Sequence, residues 1–347
     1  MNVSPRKKKL IQFLFVLAVI TLVANIILTK IYKLPKPEKR ENLNSNLIKV
    51  KFLNALDDFG LQKDWIKNLN LKESKNSGYS YLINVPKDLP IPVILAAIYS
   101  AFYRTNVNIK STEEKLGGKT SISLFTNSKL KLTARFSYKD ELVRNCGSIG
   151  LLVSDIDKLK SKDIGKLIEF PQTFTALLLP SKLSLSLKDS LLNNRKKYSI
   201  LLNDNIEDMD FRLNRNFSKR RLNIVIRTII GAFPNADFYV IDDASNLYQS
   251  AVYPYIKQEF VKRKIKLIKE SSFIHINEGN SNEVQNSLKD IVQPTKLGDQ
   301  KLVLIHADNF ELAKYEIYSL IKIGYKFINP SVIIFNKAGK KDPSKLK

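Results

Sequence analysis

The sequence predicts an α/β protein. It is read as a small (β/α) barrel of about seven parallel strands, preceded by a small α+β module and an N-terminal transmembrane helix. Three observations predict this. From about residue 147, short apolar runs alternate with helical stretches. Runs apolar on both faces belong to strands covered on both sides, and their alternation with helices marks repeated βαβ units. Before that point, two segments alternate with period two across a turn, the mark of an antiparallel hairpin. Ahead of both lies a long apolar stretch. Periodicity does not separate a closed barrel from a doubly wound open sheet, which stands as the alternative.

The N-terminal element comes first. Basic Arg6–Lys9 precede "LIQFLFVLAVITLVANIILT", residues 10–29. A stretch of about 20 apolar residues is long enough to span a hydrocarbon core as a helix. Large residues stand where a cleavage site needs small ones, so residues 1–29 read as a basic N-terminus with an uncleaved signal-anchor. Basic residues lie on both sides of the span. A long C-terminal domain translocates largely regardless of charge, so the expected topology is single-pass in the cytoplasmic membrane, with the bulk of the chain outside. Residues 30–46, charged and carrying two prolines, read as a tether.

Residues 47–140 read as the α+β module. "YSYLINV" (79–85) alternates as a strand, and "LPIPVILAAIYSAFYRT" (89–105) is a helix opened by proline. "TSISLF" (120–125) and "KLKLTARF" (129–136) flank the turn "TNS". The barrel is expected over 147–336, with strands at 149–153, 174–179, 198–202, 237–241, 265–268, 301–305 and 331–335. Helices are expected near 184–195, 218–232, 248–263, 281–292 and 309–323, and a basic tail closes the chain over 337–347.

Composition narrows the chemistry. Lys and Arg number 57 against 33 Asp and Glu, a formal charge of +24. Such a balance attracts anionic partners. Yet the basic residues are spread out, with short clusters at Lys219–Arg221 and Lys262–Lys264, and no nucleic-acid-binding signature accompanies them. One cysteine excludes an internal disulfide or a cysteine zinc site, and two histidines exclude a His-rich metal centre. His275, alternating with Phe273 in "SSFIHIN", reads as a packing residue.

The strand ends carry the site. The first six runs continue as Ser154-Asp155, Pro180-Ser181, Asn203-Asp204, Asp242-Asp243, Glu270-Ser271 and His306-Ala307-Asp308. In parallel α/β folds all strand C-termini lie on one face, which carries the active site. Singly, each of these residues is as well explained as a helix cap or turn. Together they form a rim of carboxylates with one histidine, suited to a hard metal ion or to acid–base chemistry.

In order and spacing these ends resemble the divergent polysaccharide deacetylases, a branch of the carbohydrate-esterase barrel superfamily, over about residues 147–336. "LLVSDID" stands where members read IIDD.G, "ALLLPS" where they read LP, and "ILLNDNIE" where they read H.PM. "FYVIDDAS", "LIKESS" and "VLIHAD" stand for NNHMGS, F.DS and IGHP. The resemblance implies roles residue by residue. Ser154 occupies the catalytic-base position and Asp155 the metal aspartate. Asn203 and Asp242 stand in place of the two metal histidines, with Ser245 on the motif's serine. Glu270 matches the fifth-strand aspartate and His306 the late histidine that assists as an acid.

The implied catalytic set is therefore His306, Asp155 and Glu270. The implied metal set is Asp155, Asn203 and Asp242, which suits a hard divalent ion better than zinc, or no metal at all. Asp157, Asp204 or Asp243 are substitute bases. The resemblance implies a membrane-anchored deacetylase-like protein with impaired catalysis, whose partner is a cell-envelope glycan or an envelope protein. An active metal-dependent deacetylase and a non-catalytic assembly protein are the alternatives. No nucleic-acid partner is expected.

Overall fold

The computed structural model describes residues 41–69, 78–115, 118–276 and 279–339. The stretch 10–29, residues 30–40 of the tether and the chain beyond residue 339 lie outside them, while the last residues of the expected tether already belong to the first helix, which starts at Ser45. No helix among the described residues is long and apolar enough to cross a membrane.

The first module is a five-stranded sheet with two helices. Helix α1 (Ser45–Asp57) starts where the Asn44 side chain accepts the Leu47 N–H. Strands β1 (Ile66–Asn68) and β2 (Tyr79–Pro86) follow, then α2 (Ile91–Ala101), opened by prolines as expected. Strands β3 (Asn108–Glu113), β4 (Thr120–Thr126) and β5 (Lys129–Lys139) complete it in the order β1-β2-β5-β4-β3. The expected hairpin is β4–β5. Its two turn residues, Asn127 and Ser128, both take positive φ, the backbone that suits the twist of a two-residue hairpin. Ile83 and Val85 of β2 and Ile122 and Leu124 of β4 meet Phe52, Leu56, Ile94 and Ile98 of the helices in one core. The sequence reading missed α1, β1 and β3.

The second unit runs β6 (Ser148–Ser154), α3 (Ser161–Ile168), β7 (Thr175–Leu178), α4 (Lys182–Asn193), β8 (Lys197–Leu202), α5 (Lys219–Ala232) and β9 (Tyr239–Ile241). It continues with α6 (Asn246–Gln249), α7 (Tyr253–Lys262), β10 (Leu267–Lys269), β11 (Ile274–His275), α8 (Ser281–Val292), β12 (Gln300–His306), α9 (Ala307–Ile323), β13 (Lys326–Ile328) and α10 (Pro330–Gly339). The strand order is β10-β9-β8-β7-β6-β12-β11, parallel throughout. Strands β7 and β13 share one edge of β6: β13 pairs with residues 148–150 and β7 with 152–153.

Three expectations are corrected. First, the barrel is not closed by hydrogen bonds, because β10 and β11 are the sheet's two edges. Only Glu270–Phe273 separate them in sequence, and so short a link spans at most ~18 Å. The sheet therefore curls into a half-barrel whose gap is bridged by that turn. Second, "SVIIF" (331–335) is not a strand but the body of α10, and the last strand is Lys326–Ile328. Pro330 opens this helix, and a segment buried on several sides reads as the same apolar run in either conformation. Third, the single helix at 248–263 is two, α6 and α7. Pro254, in the first turn of α7, cannot supply the N–H that a continuous helix needs there.

Alternation along each strand divides two cores. Ile149, Leu151 and Val153 of β6, with Val303 and Ile305 of β12, face outward against the helices. Leu152, Leu177, Val240, Ile268, Leu302 and Leu304 face the barrel interior, where Ile333 and Ile334 of α10 join them. Helix α10 thus plugs the interior. Gly150 makes room for it: a Cβ there would stand 2.9 Å from the Pro330 Cα.

The two units are fastened by the segment between them. Arg144, only 8% exposed, donates from Nε and Nη2 to Asp88 Oδ2 at 3.0 and 2.7 Å and from Nη1 to the Lys322 carbonyl at 2.8 Å. Gly324, at φ 130°, lies under it, and a Cβ there would come 2.8 Å from Arg144 Nε.

Candidate functional site

The alternation that builds the interior also aims the site. Gly150 and Leu152 face inward, so Ser154, the last residue of β6, faces into the barrel mouth. Leu302 and Leu304 face inward, so His306 does too, and in the parallel register His306 lies directly beside Ser154. The same argument turns Asn203, Asp242 and Glu270, each one residue past its strand, toward the mouth. There a cleft of about 400 Å³ is lined by Ser154, Asp155, Asn203, Glu270 and His306 among other residues, over an apolar floor of Leu177, Leu179 and Leu201. Asp242 is not part of its lining.

Asp155 is the centre of the cluster. It adopts left-handed backbone, φ 56° and ψ 27°, which costs about 1–2 kcal/mol for a residue with a Cβ and which Asp tolerates better than most. This turn carries the chain out of β6 and folds the carboxylate back over the strand end. Asp155 Oδ2 lies 2.5 Å from His306 Nδ1, and Oδ1 lies 2.7 Å from Lys158 Nζ. An ionised carboxylate only accepts, so Nδ1 carries the hydrogen. The His306 hydrogen bond, followed by Lys158, holds the Asp155 carboxyl well below the usual carboxylate range against the opposing effect of burial.

Ser154 Oγ lies 3.0 Å from the same Nδ1 and donates to Asp155 Oδ2 at 3.4 Å. This is not a nucleophile relay. In such a relay serine and aspartate contact opposite ring nitrogens, whereas here both fall on Nδ1.

Glu270 sits in the turn that bridges the gap between β10 and β11. Burial first, then the neighbouring Asp242 carboxylate, pushes its carboxyl above the ordinary value. His275 Nε2 stands 4.0 Å from Glu270 Oε1, and the His275 side chain is 42% exposed. His275 is therefore not a packing residue. It lies on the inward face of β11 beside Leu304, and both histidines of the chain flank Glu270.

Other rim residues are caps and turns. Ser181 caps α4 in a reciprocal capping box, and Ser245 accepts the Tyr248 N–H. Asp204 Oδ2 accepts the Leu247 N–H, and Asp243 receives both the N–H and the hydroxyl of Ser271. Asp157 lines the cleft. The sequence reading missed Lys158, whose approach depends on the left-handed turn, and the loop carboxylates Glu207 and Asp208, which also line the cleft.

A hard ion takes six or more oxygens. Both Asp155 oxygens are engaged by cationic or N–H partners. Asn203 Oδ1 accepts the Asn205 N–H, and Asp242 Oδ1 accepts the Ala244 N–H. Among the described residues no group of three or more His, Cys, Asp or Glu is placed to hold a metal ion. As arranged, Asp155, Asn203 and Asp242 do not fit one.

No family model matches the sequence, and no curated protein matches it. Solved structures that it is similar to are family 4 carbohydrate esterases and a pseudoenzyme of that family. One is a CE4 family pseudoenzyme from Bacillus anthracis, at 11% identity and TM-score 0.39, covering 65% of this chain and 88% of that one. Another is a family 4 carbohydrate esterase from Streptomyces lividans, at 13% identity and TM-score 0.36, covering 52% and 92%. A third is the family 4 carbohydrate esterase PdaA from Bacillus subtilis, at 17% identity and TM-score 0.34, covering 55% and 81%.

Proposed function

We propose that this chain is a deacetylase-like saccharide-binding protein with impaired hydrolysis, held at a membrane by residues 10–29 and engaged with a cell-envelope glycan. The observation that carries the reading is the state of Asp155. Metal-assisted deacetylation needs a metal-activated water and a base to take its proton. Asp155 is instead committed to His306 and Lys158, and Ser154 at the base position meets the imidazole on the same nitrogen as Asp155. What remains is a cleft of ligand-binding size, with an apolar floor and converging polar groups. The anchor rests on the length and composition of residues 10–29.

The test uses the full-length chain in detergent. Acetylated chitooligosaccharides or peptidoglycan fragments are expected to bind, with no acetate released when Zn²⁺, Co²⁺ or Mn²⁺ is added. Acetate release that disappears in Asp155→Asn would overturn the impaired-catalysis reading. Failure of every glycan to bind, with co-purification of one envelope protein, would transfer the role to assembly. In membranes the chain is expected to resist alkaline extraction.

One observation favours a second reading, an active enzyme with rewired acid–base groups. Glu270 is a half-buried carboxyl kept protonated to higher pH than usual, the property of a general acid. Acetate release abolished by Glu270→Gln would establish that reading.

A further inference from the structure

The fold brings two basic clusters that lie apart in the sequence, Lys219–Arg221 and Lys262–Lys264, onto neighbouring helices, α5 and α7. Lys219 Nζ stands over the Tyr255 ring at 5.7 Å, and Asn223 Nδ2 donates to Glu259 Oε2 at 2.6 Å. Both contacts join residues 36 apart, so the helices lie side by side and run in the same direction.

Their outer surface carries a repeated pattern. Arg220, Ile224 and Arg227 fall at i, i+4 and i+7 of α5 and share one face of it. Lys257 and Val261 repeat the spacing on α7, and Lys264 follows just past its end. All six are exposed, Ile224 at 51% and Val261 at 60%. In the parallel register the two aliphatic side chains are neighbours, with cations before and after them on both helices. These stretches supply almost no acid. Residues 211–236 hold six Arg and Lys and no Asp or Glu. Residues 253–269 hold six with a single acid, Glu259, which is 4% exposed and taken by Lys262 and Arg263.

A soluble polyanion would satisfy the cations and leave both aliphatics in water. An anionic bilayer takes both parts: headgroup phosphates meet Arg and Lys, and the aliphatics enter the boundary of the acyl chains. The bilayer is also within reach. Only residues 30–44 separate the apolar stretch 10–29 from α1, and a link of that length spans at most ~55 Å.

We propose that the α5–α7 face lies against an anionic lipid bilayer, as a second and peripheral membrane contact. This rests on the anchor reading above for its proximity and goes beyond it. Helices α5 and α7 pack along the outside of the sheet, whereas the cleft opens at the strand ends. In this pose the cleft opens along the membrane plane.

The full-length chain carrying Val261→Trp is reconstituted in phosphatidylcholine vesicles with and without phosphatidylglycerol, made with brominated acyl chains that quench a tryptophan at the boundary. The native Trp65, 6% exposed in the core of the first unit, is the reference in the parent chain. The added tryptophan is expected to lose most of its emission in anionic vesicles, to keep it in neutral ones and to regain it at high salt, while the parent is unaffected. Adding Arg220→Glu, Arg227→Glu and Lys257→Glu should abolish the quenching while the melting temperature stays within a few degrees. No quenching in anionic vesicles, or equal quenching in neutral ones, overturns the proposal. Tight binding of soluble polyphosphate without quenching overturns it in favour of a soluble polyanion. Retention after an alkaline wash reports the anchor separately: a chain that washes off, yet is quenched while on anionic vesicles, overturns the anchor and leaves this face standing.

Discussion

Asp155 joins backbone strain to charge pairing at one position, and both are separable by substitution. Its carboxyl is held low, so the stabilisation that it brings is whole above the ordinary Asp value of 3.8 and is lost as pH falls through the depressed value. Asn tolerates the left-handed backbone as Asp does. Asp155→Asn should therefore lower the melting temperature by about 2–4 °C at neutral pH, and thermal scans should show the gap closing in strong acid. Glu270 behaves oppositely. Its raised carboxyl costs stability once ionised, a cost absent below the ordinary value of 4.5 and growing as pH rises through the folded value. Glu270→Gln should raise the melting temperature at neutral pH and leave it unchanged at pH values below 4.5. An unchanged melting temperature at neutral pH would mean that Glu270 is solvated in the folded chain.

At the scale of elements, the interior helix and the strand beneath it set the tolerance of the fold. Gly150→Ala puts a methyl against Pro330 and Ile333, and overpacking of this kind costs about 1–3 kcal/mol, measurable by urea unfolding. Ser181→Ala removes the capping box of α4 and should cost about 1 kcal/mol without touching the cleft floor. These elements also show what was legible in the sequence. Continuous apolar runs gave six of the parallel strands, because strands buried on both faces leave that trace. Ser154, Asp155, Asn203, Glu270 and His306 were legible for the same reason: a parallel sheet gathers its strand ends on one rim. Helix α10 was misread because burial erases the difference between helical and extended runs. His275 was missed because a two-residue strand has no periodicity. Glu207 and Asp208 come from a loop, whose course no local pattern dictates.

At the scale of the molecule, the first unit has a core separate from those of the second, and Arg144 is a fastener between the two units. Its guanidinium is satisfied only when Asp88 of the first unit and the end of α9 in the second stand together. Arg144→Ala should uncouple them, and calorimetry is expected to resolve two transitions where the parent shows one; a single unaltered transition would mean that the joint is held elsewhere. A different consequence follows from β6. The first barrel strand made takes its neighbours β12 and β13, and the helix over Gly150, from the last part of the chain. Contacts so distant in sequence close slowly. A nascent chain emerging from the ribosome can pair only the end of β6, residues 152–153 against β7, until residues 300–335 arrive, so most of that apolar strand stays open during synthesis and is a natural place for a chaperone to bind.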